Sequence, residues 1–195
     1  ILADGLLGQM MEPVIFPEDK PVAKKFEWAT DGHENKREHN VVNTLFLQPD
    51  VLEKSVDDRF KRYEKIIEAE QRSELFHFDE ATEIAVVAYG ACARVVKSAV
   101  RMAKECGINA GLIRPKTLWP FPDDVIKKNA GKGSNIKHIL AIEMSKGQMV
   151  DDVRAAVEYN TSVSFYGRHG GVIPTPIEVL EQIKKIDSYL NGGEE

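Results

Sequence analysis

The chain holds 195 residues with a formal net charge of -5, 43% of them hydrophobic and 29% charged, enough for one well-filled core and an appended segment. Lys and Arg are scattered rather than gathered into a stripe, which excludes the electrostatic footprint of a nucleic-acid or anionic-membrane binder. No apolar run approaches the roughly 20 residues that cross a bilayer, and the start lacks the basic and apolar regions of a secretory leader, so the sequence reads as soluble and cytoplasmic.

The chain opens without Met, at what reads as the end of a strand entering a loop, and is expected to be a piece of a longer protein. From Ile1 to Glu80 the pattern is irregular. Pro13, Pro17, Pro21 and Pro49 break short apolar pieces, and a polar run fills Thr30 to Asn40, as in a connector that wraps a neighbour. Within it, Val56, Phe60, Tyr63, Ile66 and Ile67 recur at helical spacing, which predicts an amphipathic helix over Lys54–Ser73 with one buried stripe.

After Glu80 short β-rich runs alternate with helical patterns, the signature of βαβ units around a parallel sheet. Strands are predicted over Glu83–Tyr89, Ala110–Ile113, His138–Glu143 and Val163–Tyr166, each too continuously apolar to be wet on one face. Between them helices are predicted over Ala91–Glu105, Pro122–Asn129 and Gln148–Tyr159. Asp123 and Asp124 at a start and Lys127 and Lys128 at an end suit the helix dipole. A last helix over Pro176–Tyr189 closes a domain running from about Thr82 to Ile186. Cys92 and Cys106 fall in or at the end of one helix, too far apart to bridge, and are expected to be reduced thiols.

In an open parallel sheet, ligands and partners meet the loops at the carboxyl ends of the strands, so chemistry is sought in four turns. Tyr89-Gly90-Ala91-Cys92 has one Gly but not the G-x-G-x-x-G spacing of a dinucleotide site. Glu143, at a strand end ahead of a helix, could act as an acid or base. The favoured reading is structural, with its carboxylate accepting hydrogen bonds from N–H groups of the next turn. Arg114 and Arg168 could each clamp a carboxylate or phosphate, or equally pair with an acid of a neighbouring subunit. His33, His39, His77, His138 and His169 form no metal-ligand spacing, and no cluster-binding Cys run, ATP-binding loop or Ser nucleophile elbow occurs. No catalytic residue is assigned in this chain, and no cofactor-binding residue either.

Several pieces together resemble the α subunit of the thiamine-diphosphate-dependent 2-oxoacid:ferredoxin oxidoreductases. They are Ala88-Tyr89-Gly90-Ala91-Cys92-Ala93-Arg94, Gly111 to Pro122 (GLIRPKTLWPFP), and Glu143-Met144-Ser145-Lys146-Gly147-Gln148-Met149. The loop Gly167-Arg168-His169-Gly170-Gly171 and the opening Ala3 to Pro13 (ADGLLGQMMEP) add to it, and the 2-ketoisovalerate type is the nearest in pattern. The resemblance implies a three-layer α/β domain like the transketolase C-terminal domain, with a mostly parallel five-stranded sheet, over residues 81–195. Residues 1–80 would be the tail of a pyrimidine-binding domain plus a linker with the amphipathic helix. It further implies thiamine diphosphate, Mg2+ and iron-sulfur clusters in the full complex, none of them bound by this fragment, which is expected to be inactive alone. Implied partners are thiamine-binding β and iron-sulfur subunits in an oligomer, with ferredoxin and coenzyme A. Asp4, Arg114, Glu143 and Arg168 are the candidates for positions near substrate or at an interface. Alternative readings are the C-terminal domain of a transketolase or of a 2-oxoacid dehydrogenase β subunit, and a stand-alone nucleotide-binding module.

Overall fold

A computed structural model of the chain describes residues 5–9, 11, 13, 15, 16, 18 and 24–192. It divides into two compact units, one of Gln9–Tyr63 and the other of Ile1–Gly8 with Glu64–Glu195. The opening, read as a strand end entering a loop, shows a short helix α1 over Gly5–Gln9, while Ile1 to Asp4 lie outside the described residues.

In the unit of Gln9–Tyr63, residues 24–47 hold no regular helix or strand, and two side chains tie the run together. The Arg37 guanidinium donates to the carbonyls of Ala29 (3.2 Å) and Gly32 (3.0 Å) and pairs with Asp31. Asn40 donates to the carbonyl of Ala29 at 2.8 Å. These bonds give backbone oxygens of an irregular run the partners a helix or sheet would otherwise supply.

Helix α2 runs over Pro49–Glu70, earlier at both ends than the predicted Lys54–Ser73. Pro49 suits a helix start because its missing N–H is not needed there. The expected buried stripe is not found. No residue of α2 is buried, and Phe60, Ile66 and Ile67 are exposed. Ser73, expected to end the helix, instead opens strand β1 over Ser73–Phe76, which was not predicted.

The remaining elements are β2 (Ile84–Ala88), α3 (Gly90–Glu105), β3 (Ala110–Pro115), α4 (Asp123–Ala130), β4 (His138–Glu143), α5 (Met149–Ala156), β5 (Ser162–Gly167) and α6 (Pro176–Leu190). The sheet order is β1-β3-β2-β4-β5, with β1 antiparallel to β3 and every other pairing parallel. This is the three-layer, mostly parallel five-stranded architecture that the resemblance implies. Its fifth strand is the antiparallel β1, and it lies ahead of the boundary expected at residue 81.

The layers follow from alternation along the strands. Ile84, Val86 and Ala88 of β2, with Leu112, Leu140 and Ile142, face a core closed by α3 and α6. Ala85 and Val87, with Ile113, Ile139 and Ala141, face a second core closed by α4 and α5. Crossovers between parallel strands are right-handed. The step from β2 to β3 therefore puts α3 on one face, and the reversed direction from β3 across to β4 and β5 puts α4 and α5 on the other. The carboxyl ends of β2 and β4 thus flank the point where the strand order reverses, the place at which such sheets bind ligands.

Strands β2 to β4 are nearly all buried, as their apolar runs predict, but every residue of β5 keeps some exposure because it is the outer strand. Cys92 is buried in α3, and Cys106 caps its end, exposed; neither forms a disulfide. Among the described residues no helix is long and apolar enough to cross a membrane.

Candidate functional site at the carboxyl ends of the strands

Glu143 ends β4 at the reversal point with none of its surface exposed. Its carboxylate accepts the backbone N–H of Met149 at 3.1 Å and of Val150 at 3.0 Å, and both its oxygens lie within 3.2 Å of the N–H of Gln148. The Ser145 hydroxyl donates a further bond at 3.0 Å, and its oxygen in turn accepts from Gly147 N–H at 3.0 Å. The first N–H groups of a helix have no partner within it. Gln148, the residue at the cap position of α5, supplies no side-chain bond, so Glu143 caps the helix from five to seven residues upstream. The positive end of the helix dipole and these donors offset the burial of the charge. These are the N–H contacts that the structural reading of Glu143 expects.

The turn after Glu143 is held against β5. Arg168 N–H donates to the Glu143 carbonyl at 3.1 Å, and Gly167 lies so close to Ser145 that an added Cβ would stand 2.4 Å from the Ser145 carbonyl oxygen. Only a residue without a side chain fits there.

Each of the two arginines pairs with an acid of its own chain, a contact that neither sequence reading included. Arg114, on β3, donates to Glu74 at 3.1 Å, and the two residues are direct partners in the antiparallel register of β1 and β3. Lys97 of α3 also donates to Glu74. With Arg114 beside it, that lysine holds the Glu74 carboxyl below the usual glutamate range. Arg168 donates to Glu178 at 2.7 Å. Glu178 closes a capping box at the start of α6, accepting from Thr175 N–H at 2.7 Å while the Thr175 hydroxyl accepts from Glu178 N–H at 3.2 Å. Hydrogen bonds from Thr175 and the charge of Arg168 hold the Glu178 carboxyl low. Asp4 lies outside the described residues.

Two further acids sit at this end: Asp123, read in the sequence only as a partner of the helix dipole, and Asp152, not singled out there. Burial raises the Asp123 carboxyl at the start of α4, and the charges of Asp152 and Asp124 add to the effect. Burial likewise raises Asp152 in the first turn of α5, with help from Asp151 and Glu143. The capping box was legible as Thr175-Pro176-Ile177-Glu178, since Thr followed three residues later by Glu is its signature. No local signal points to the Asp123 and Asp152 pair, because it arises where α4 and α5 pack together.

At the fourth turn, β2 leads through Tyr89 into α3 with Gly90 at φ 55°, a left-handed conformation suited to glycine. Exposed apolar side chains stand in the outer turns: Leu118 and Trp119 after β3, Val172 and Ile173 after β5. Among the described residues no three His, Cys, Asp or Glu side chains come together to hold a metal ion. His33 and His39 stack edge to face at 4.0 Å without a third ligand beside them.

The fold and the site define a doubly wound α/β domain whose strand-end acid and arginines are bonded within the chain. The chain belongs to the pyruvate:ferredoxin oxidoreductase core domain II family, whose model matches residues 82–179. It is 40% identical over 187 residues to ketoisovalerate oxidoreductase subunit VorB of Methanothermobacter thermautotrophicus, covering 95% of this chain and 51% of that protein. The same subunit of Methanothermobacter marburgensis is 38% identical over 193 residues, covering 98% of this chain and 53% of that one. The chain thus spans about half the length of these relatives. In fold it is similar to the 2-oxoglutarate:ferredoxin oxidoreductase of Magnetococcus marinus, with a TM-score of 0.56 and 18% identity over 76% of this chain and 25% of that one.

Proposed function

We propose that the chain is a C-terminal portion of the α subunit of a thiamine-diphosphate-dependent oxidoreductase of the 2-ketoisovalerate type. The full complex would oxidise 2-ketoisovalerate with coenzyme A to an acyl-CoA and CO2, passing two electrons singly to ferredoxin. The observation that carries the substrate reading is the likeness, over nearly the whole chain, to two proteins named as ketoisovalerate oxidoreductase subunits. The pieces around Tyr89, Arg114, Glu143 and Arg168 support the same class. Nothing observed favours the transketolase, dehydrogenase or stand-alone nucleotide-binding readings over it.

Within that complex, residues 81–195 organise subunits and shape the approach to the reacting centre, and residues 1–80 are a domain tail and linker. The internal bonding of Glu143, Arg114 and Arg168 supports this division, because a carboxylate that already accepts three N–H groups and a hydroxyl is poorly placed to move a proton. Thiamine diphosphate, Mg2+ and the clusters would be held elsewhere in the complex. The exposed Leu118, Trp119, Val172 and Ile173 suit contacts with its thiamine-binding and iron-sulfur subunits.

The test is expression of the full-length protein with its partner subunits, followed by ferredoxin reduction with coenzyme A and one of three acids: 2-ketoisovalerate, pyruvate or 2-oxoglutarate. Preference for the branched acid supports the substrate reading, and preference for either other acid removes it. Separately, calorimetry of the 195-residue chain with thiamine diphosphate and Mg2+ should show no micromolar binding; such binding would overturn the scaffold role.

A further inference from the structure

The end of the sheet opposite the Glu143 turn holds a feature that this role leaves unused. There β4 starts at His138, the outer strand β5 pairs only with β4 among the described residues, and α6 runs to its end at Leu190. Between β5 and the second half of α6 lies a cleft of about 680 Å³, within the size range of small-molecule sites.

Its lining separates into an apolar part and a polar part. Leu140 and Ile186 supply the apolar surface, and Tyr189, 69% exposed, stands at the edge. On the polar side the ring Nε2 of His138 meets the hydroxyl of Ser164 at 2.8 Å. Burial pushes the His138 ring below the usual histidine range, so near neutral pH it is an uncharged hydrogen-bonding group. Lys184 and Lys185 also line the cleft. No Asp or Glu does, although acids outnumber Lys and Arg by 31 to 26 in the chain. A rim bearing two lysines over an apolar floor selects for charge as well as for shape, although Glu181 and Asp187 lie within a turn of them on α6.

We propose that this cleft binds a small amphipathic carboxylate, its aliphatic body against Leu140 and Ile186 and its head at Lys184 and Lys185. The two lysines supply point charges that steer an anion without fixing its orientation. Ser164 and Ser188, both in the lining, offer hydroxyl donors to the same head. The site is separate from the strand-end turns and does not depend on the oxidoreductase reading. In the complex, occupancy would bear on the packing of α6 against α3, and through α6 on the Thr175 and Arg168 contacts at its other end.

The 195-residue chain, labelled with 15N, is titrated with octanoate and with octan-1-ol as the neutral control. Saturable shifts centred on His138, Ser164, Gln182 and Ser188 are expected, with octanoate bound about fivefold more tightly than the alcohol. Replacing both lysines (K184Q with K185Q), which are exposed and leave the core intact, should abolish that preference while leaving octan-1-ol affinity and the melting temperature unchanged. The proposal is overturned by any of four results: no saturation below about 10 mM, equal affinity for the two probes, shifts centred on the exposed stripe of α2, or a preference that survives in the double variant. Ligand-free shifts at these residues that grow with protein concentration would also overturn it, by assigning the cleft to a second copy of the chain.

Discussion

The carboxylate of Glu143 and the backbone N–H of Val150 lie 3.0 Å apart, although seven residues separate them in sequence. Together with the bonds from Gln148 and Met149, this contact makes a strand-end acid the cap of the following helix. Glu143→Ala should therefore destabilise the fold by about 3 kcal/mol, since it orphans buried N–H groups that bond a charged acceptor. Glu143→Gln keeps the shape but replaces an accepting oxygen by a donor, and it should cost a large part of the same amount. Urea unfolding of both variants decides the point. A Gln variant as stable as the parent would return Glu143 to the acid or base reading.

Gly167 is expected to tolerate no side chain. With the Ser145 carbonyl 2.4 Å from the position of a Cβ, and the Phe165 ring equally near, Gly167→Ala should cost about 2 kcal/mol through backbone displacement. A thermal melt gives the size. A shift confined to the amides of Ser145 to Met149 and β5 in an NMR spectrum would locate the strain.

Arg168 and Thr175 separate a structural contact from a functional one. Thr175→Ala removes the hydroxyl that accepts from Glu178 N–H and should lower stability by about 1 kcal/mol. Arg168→Gln breaks a partly exposed ion pair and should leave the melt nearly unchanged. If the reconstituted enzyme loses turnover with Arg168→Gln while the melt stays put, the guanidinium serves the reaction or an interface rather than α6.

The raised carboxyls of Asp123 and Asp152 give a pH signature of definite sign. A folded-state pKa above the unfolded value means a stabilising contribution that is complete below the unfolded range, about pH 4, and is lost as pH rises through the folded value. Asp123→Asn should therefore compare more favourably with the parent at pH 7 than at pH 3, by a margin kept small by the exposure of the group to solvent. Unfolding free energies at the two pH values test this, and a difference of the opposite sign would show that the helix dipole outweighs the crowding of acids.

Glu74 should behave in the opposite sense. Its carboxyl is held low by Lys97 and Arg114, so its contribution is present above the ordinary glutamate range and lost as pH falls through the lowered value. Glu74→Gln should cost under about 1 kcal/mol at pH 7, because the pair is partly exposed, and nothing at pH 2.

What could be read along the chain was whatever depends on neighbours in sequence. The runs at Ile84–Ala88, Ala110–Pro115 and His138–Glu143 announce buried parallel strands, because a strand covered on both faces must be apolar at every position. The helices α3 and α6 show in the 3.6-residue spacing of Val96, Val100 and Ala103, and of Val179, Leu180 and Ile183. The strand-end turns and the family resemblance were likewise carried by local pieces. Strand β1 was not legible: four residues directly after a helix carry no period of their own, and they become a strand only by pairing with β3. The helix stripe of Val56, Phe60 and Tyr63 has the right period, but periodicity reports an apolar face and not whether this chain covers it. The partners of Arg114 and Arg168, the crowding of Asp123 with Asp152, and the cleft beside His138 were decided only by tertiary structure. Each joins elements distant in sequence, and spacing along one element says nothing about which charge stands on the next. Glu143 stands between the two cases: its place at a strand end was determined by the sequence, and its full set of donors only by the way the chain turns back into α5.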